Sequence, residues 1–136
     1  MTDASAHFDS QPSQVGAARR FVSATLQSWG CGAFVDLATL LTSELVANAI
    51  IHAGTDCEVV VRSLPDRIRI EVGDHDSRLP MRKHYSVSAT TGRGLALVED
   101  LSLAWGSDAT GTGKRVWFEL DELAAAQLGP APASAR

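Results

Sequence analysis

The sequence is short of the features that mark several classes of protein. It has two cysteines, Cys31 and Cys57, far apart and without Cys-x-x-Cys spacing. That argues against a disulfide framework or a zinc module and leaves two small apolar side chains that stay reduced. No apolar run approaches the roughly 18 residues of a membrane span. The N-terminus, with Asp3, His7 and Asp9, lacks the charged-then-apolar order of a signal sequence. A cytoplasmic protein that does not engage a membrane is expected. Basic residues are not in excess: 12 Lys and Arg against 16 Asp and Glu give a net charge of −4 with the signs interspersed. Without a basic stripe, nucleic acid is not the expected partner. At 136 residues the chain makes one domain with a real core and is too short for two ordinary ones, so one site serves the whole.

What is present is periodic. In residues 12–29, Val15, Ala18, Phe21 or Val22, Thr25, Leu26 and Trp29 recur at helical spacing, with Gly30 and Gly32 as stop signals. A second helix is predicted over 35–53, ended by Gly54. Cys57, Val59 and Val61 then alternate with Glu58, Val60 and Arg62. After a Pro65-Asp66 turn, Ile68, Ile70 and Val72 alternate with Arg67, Arg69 and Glu71, predicting an antiparallel pair with one wetter face. Residues 75–91 show no period and read as a long loop, in which Arg82 and Lys83 are solvated charges. Helical spacing returns over 94–104, and residues 115–120 alternate again with Val116, Phe118 and Leu120 on one face. The tail from about Ala124 carries little large apolar surface and is expected to be disordered. Helices interspersed with antiparallel strands give an α+β class: a two-layer sandwich, its mostly antiparallel sheet covered on one face by helices.

Within the second helix, SELVANAIIHA sets Glu44, Asn48 and His52 at four-residue spacing, flanked by Leu41, Leu45, Ala47 and Ile51. An α-helix turns about 100° per residue, so these polar groups share one stripe. An unpaired buried carboxylate costs several kcal/mol or shifts its pKa. A helix apolar over much of its circumference therefore needs a reason to carry an acid and an amide. A ligand cavity is one reason; bonds to neighbouring backbone groups are the other. Two more stretches bear on the choice. Asp74 sits where an alternating strand runs out, beside a potential cavity. Gly92 and Gly94 precede a helix, where backbone N–H groups and the positive end of the dipole suit phosphate oxygens.

Taken in order, Glu-x-x-x-Asn-Ala-x-x-His, an Asp at a strand end, a long loop and Gly-x-Gly-Leu-x-Leu resemble the ATP-binding fold shared by gyrase, histidine kinases, MutL and a heat-shock chaperone. More narrowly, the chain looks like the single-domain anti-sigma-factor serine/threonine kinases related to SpoIIAB and RsbW. The resemblance covers residues 8–122 and leaves 123–136 as the tail. It implies ATP and Mg²⁺ as cofactors, with Asn48 coordinating the metal and Glu44 orienting or deprotonating the attacking hydroxyl. It implies that Asp74 accepts a hydrogen bond from the adenine amino group, and that Gly92, Gly94 and Leu95 wrap the phosphates. His52 takes no chemical part and is expected to be a hydrogen-bonded structural residue. The implied partners are a sigma factor and an anti-sigma-factor antagonist of the STAS type, with a homodimer as the implied assembly.

The chain departs from the pattern twice. Asp74 is followed by His75, Asp76, Ser77 and Arg78, without the glycines usual there. Arg115 stands where a Thr commonly supports the Asp and the base. Weakened or altered nucleotide affinity is expected from both. Two other readings follow: a nucleotide-sensing or nucleotide-free regulator that sequesters its partner without phosphoryl transfer, and a detached histidine-kinase catalytic domain. Against the last stand the missing phosphoacceptor helix pair and Ile51 in place of a basic residue.

Overall fold

Helix α1 (Gln14–Ser28) buries Ala18, Val22 and Leu26 completely. Steps of four residues keep those side chains on one face. The helix closes in a Schellman motif: Gly30 adopts φ 74°, the Cys31 N–H donates to the Leu26 carbonyl at 2.8 Å, and the Gly30 N–H donates to that of Gln27 at 3.1 Å. Glycine takes that conformation without steric cost and so satisfies the orphan carbonyls. A 3-10 turn, Gly32–Phe34, leads into α2 (Val35–Ala47), which buries Leu37, Ala38, Leu41, Thr42, Leu45 and Val46. The computed structural model describes residues 2–76 and 96–128.

The second helix does not run to residue 53 as one α-helix. After Ala47 it widens into a π turn, Asn48–His52, in which the Ala53 N–H donates to the Asn48 carbonyl at 2.9 Å. Gly54, with φ 73°, ends it as expected, and the Thr55 N–H returns to the Ala49 carbonyl at 3.0 Å. The continuous stretch Gly32–His52, 21 residues whose most apolar window has a mean hydropathy of 1.6, is by length and composition long and apolar enough to cross a membrane. That corrects the expectation that no segment approaches this length. Half of its most apolar window is buried inside the fold, as in the core helix of a globular domain.

The sheet has five strands: β1 (Thr2–Phe8), β2 (Cys57–Leu64), β3 (Arg67–Asp74), β4 (Ala104–Ala109) and β5 (Lys114–Leu120), in the order β1-β2-β3-β5-β4. Every neighbouring pair is antiparallel. The predicted hairpin is present, with Leu64 paired to Arg67 across Pro65-Asp66. Val59, Val61, Ile68, Ile70, Val72, Val116, Phe118 and Leu120 are buried together with residues of α1 and α2 in one core. The architecture is therefore a two-layer α+β sandwich.

Some elements were not anticipated. Apart from Thr2, His7, Phe8 and Trp105, the edge strands β1 and β4 are built from Ala, Ser, Asp and Gly, residues poor in strand propensity. Residues 96–101 are helical (α3), but 104 onward is strand rather than helix. Where a disordered tail was expected, Glu122–Leu128 form a short helix, α4. Asp121 caps it, its Oδ1 accepting the Ala124 N–H at 2.9 Å, and Ala124 and Ala125 are buried. Small side chains let α4 pack against α2 and the 3-10 turn without large apolar groups. The described fold thus extends beyond 8–122 at both ends.

The face of the sheet away from the helices carries a lattice of ion pairs. Arg62 bonds Asp3 at 2.7 Å and Glu71 at 3.2 Å; Arg69 bonds Glu71 at 2.8 Å and Glu119 at 2.9 Å; Arg67 bonds Glu119 at 3.0 Å. Arg69 also lies 4.0 Å over the Trp117 ring, and Trp117 rests on Gly106, where any Cβ would collide with the indole. Burial pushes the Glu71 carboxyl upward, but hydrogen bonds from Arg69 and Arg62 outweigh it and hold the group below its ordinary value.

Candidate functional site

On α2 the polar side chains divide into two sets. Thr39 donates its hydroxyl to the Val35 carbonyl at 2.7 Å, and Ser43 donates to that of Thr39 at 2.8 Å while accepting from Arg19 at 3.3 Å. Glu44 and Asn48, one turn apart and half-buried, make no side-chain hydrogen bond with any described residue. Local backbone bonds, the alternative explanation for the stripe, therefore do not account for these two. His52 does not continue the stripe: the π turn carries it into solvent, with no side-chain hydrogen bond among the described residues, which corrects the structural role expected of it. Ile51, expected to flank the stripe, is 53% exposed for the same reason.

Asp74 ends β3 on the helix-facing side of the sheet, opposite Cys57 on one neighbouring strand and Lys114 on the other. Its side chain is almost fully buried. Lys114 Nζ lies 2.9 Å from Oδ2 and 3.2 Å from Oδ1, and the Asp76 N–H donates to Oδ1 at 2.9 Å. Lys114 is itself 9% exposed, and its ammonium also meets the Asp76 carbonyl at 3.4 Å. Gly113 allows this approach: a Cβ there would collide with the Asp74 carbonyl oxygen. Burial, followed by the charges of Asp74 and Asp56, pushes the Cys57 thiol up to about 12, so it remains protonated and takes no part in chemistry.

The register corrects one expectation. Arg115 does not stand beside Asp74. Its guanidinium lies on the solvent face over Gly73, bonded to Glu58 at 3.1 Å and Glu71 at 3.4 Å. Lys114 is the residue next to the carboxylate, and sequence reasoning missed it although the signal was present. With Val116, Phe118 and Leu120 pointing inward, strand alternation sends residue 114 inward and 115 outward. Gly92, Gly94 and Leu95, expected at the phosphates, and Arg82 and Lys83 lie outside the described residues.

Among the described residues no three His, Cys, Asp or Glu side chains gather into a metal cluster. Mg²⁺ in phosphate-transfer sites needs none, because substrate phosphates and water supply most of its ligands. The side-chain amide of Asn48, one turn after the carboxylate of Glu44 and like it without a partner among the described residues, fits that limited contribution. The site thus offers an acid and an amide on α2 and a lysine-paired carboxylate at the end of β3. No curated protein is matched by the chain. A model of the histidine kinase-like ATPase domain matches residues 8–120, which include the whole of α2 and the three central strands. The chain belongs to the histidine kinase-like ATPase domain family.

Proposed function

We propose that this ATPase-family domain is a Mg²⁺-ATP-dependent serine/threonine protein kinase of the anti-sigma-factor type. It acts in the cytoplasm, binding a sigma factor and phosphorylating a Ser or Thr of a STAS-type antagonist. The observation that carries this reading is the pair Glu44 and Asn48, half-buried on one face of α2 without side-chain partners among the described residues. Asn48 would hold Mg²⁺, which would supply positive charge to offset the negative charge that develops in phosphoryl transfer. Glu44 accepts the proton of the acceptor hydroxyl. That oxygen bonds to the γ-phosphorus, the bond to the bridging oxygen breaks, and ADP leaves. Asp74 receives the adenine amino group, and Gly92, Gly94 and Leu95 supply backbone to the phosphates.

The test is titration calorimetry with ATP and ADP, with and without Mg²⁺, followed by phosphoryl transfer to an antagonist of this class. Mg²⁺-dependent binding with transfer to Ser or Thr is the expected result. A second reading, a non-catalytic regulator of the same fold that works without nucleotide, is favoured by one observation: Lys114 already neutralises Asp74. Absence of any heat with either nucleotide would select it.

A further inference from the structure

We infer that Lys114 is a specificity-determining residue that makes the base site accept guanine as well as adenine; this rests on the nucleotide-binding reading above. A carboxylate has about four lone-pair sites. Among the described residues, Oδ1 of Asp74 is taken by Lys114 and the Asp76 N–H, and Oδ2 by Lys114 alone, which leaves acceptor capacity on Oδ2. An ammonium has three protons. The Lys114 contact to the Asp76 carbonyl is the longest of its three, at 3.4 Å against 2.9 and 3.2 Å to Asp74, so that proton is the one most readily released. The end of β3 therefore presents an acceptor and a donor side by side, held by paired strands.

A purine meets such an edge with its six-position and its adjacent ring nitrogen. Adenine brings an amino donor next to the N1 acceptor; guanine brings the O6 acceptor next to the N1–H donor. A carboxylate alone satisfies the first order and repels O6. With Lys114 beside Asp74, both orders find partners: the adenine amino group bonds Asp74 and N1 bonds Lys114, or O6 bonds Lys114 and N1–H bonds Asp74. Lysine suits this exchange because its ammonium is a compact charge with rotatable donors on a flexible stem.

The experiment titrates the full chain with the Mg²⁺ complexes of ATP, GTP and inosine triphosphate, which has guanine's O6 and N1–H but no 2-amino group. GTP and inosine triphosphate are expected within about tenfold of ATP, because the O6 and N1–H that distinguish them from adenine at this edge both find partners. Lys114→Met and Lys114→Thr, checked for folding by circular dichroism, are expected to lose at least about tenfold for GTP relative to ATP. The measurement on the unmodified chain needs no variant to fold. A wild-type preference for ATP beyond tenfold overturns the inference and leaves the nucleotide-binding reading standing. So does binding of GTP without inosine triphosphate, or an unchanged ratio in a folded variant. If no nucleotide binds, the underlying reading fails and the inference falls with it.

Discussion

On the solvent face of the sheet Arg62, Arg67, Arg69 and Arg115 each have a carboxylate within 3.4 Å, whereas Glu44 and Asn48 on the polar stripe of α2 have none among the described residues. Both regions are polar and partly buried. In the first, each charge is cancelled by another held at the pleat spacing, so the strands carry a dense set of ions without an orphan. In the second, the backbone is fixed by the core beneath it while the functional groups are left open. On the solvent face the pairing serves stability, whereas Glu44 and Asn48 are positioned without a partner among the described residues, as a ligand contact requires.

The largest effect that would break this contrast is at Asn48. Asn48→Ala is expected to abolish Mg²⁺-dependent ATP binding while the helix persists, since Ala has the higher helix propensity. Calorimetry alongside far-ultraviolet circular dichroism checks it, and undiminished affinity in a folded variant removes Asn48 from the site. Glu44→Gln should keep ATP affinity within a few-fold and slow phosphoryl transfer by roughly 10²–10⁴, the usual contribution of a positioned base. Equal loss of binding and transfer would make Glu44 structural.

On the solvent face the expected losses are in stability. Glu71→Ala removes the shared partner of Arg62, Arg69 and Arg115. It should cost about 2–3 kcal/mol in urea unfolding and leave ATP affinity unchanged, as expected for hydrogen bonds to a mostly buried charge. The pH dependence has a definite sign. The folded pKa of Glu71 lies below its usual 4.5, so the unfolded chain takes up the proton first as pH falls. Its contribution is whole above that value and is lost as pH drops through the folded pKa. Glu71→Gln should flatten the acid limb of a stability profile.

Smaller changes sharpen the comparison. Arg115→Thr should lower stability by about 1 kcal/mol or less, since the ion pairs it removes are partly exposed, and should not tighten ATP. A clear gain in ATP affinity would return Arg115 to the base site. Thr42 is completely buried on α2, and its hydroxyl finds no partner among the described residues. Thr42→Val should therefore raise stability by about 1 kcal/mol, read as an upward shift of the thermal midpoint.

How legible these regions were depends on how much apolar surface each element buries. α1, α2, β2, β3 and β5 were readable because Leu26, Leu41, Ile70 and Phe118 recur at the period of their element. β1 and β4 pair on one side only and use small or polar residues, so no period stands out. α4 escaped because alanines and an Asp121 cap do the work that large side chains do elsewhere. The π turn was invisible for a different reason: i and i+4 spacing reads the same whether the backbone closes on the fourth or the fifth residue. In the candidate site, spacing singled out Glu44 and Asn48, and the strand end singled out Asp74. Lys114 was lost to a one-residue error in alignment, and in a strand one residue is a whole face.

Cys57 has a use outside the chemistry of the site. It is 2% exposed and pairs with Phe8 of the edge strand, while Cys31 at the end of α1 is partly open. With its thiol pushed up to about 12, Cys57 reacts with an alkylating reagent only when the neighbouring backbone opens and water enters. Cys31 reports the reagent's ordinary speed in the same molecule. The two thiols together make the chain its own clock, in which the lag of the slow one behind the fast one records how often this end of the sheet comes apart.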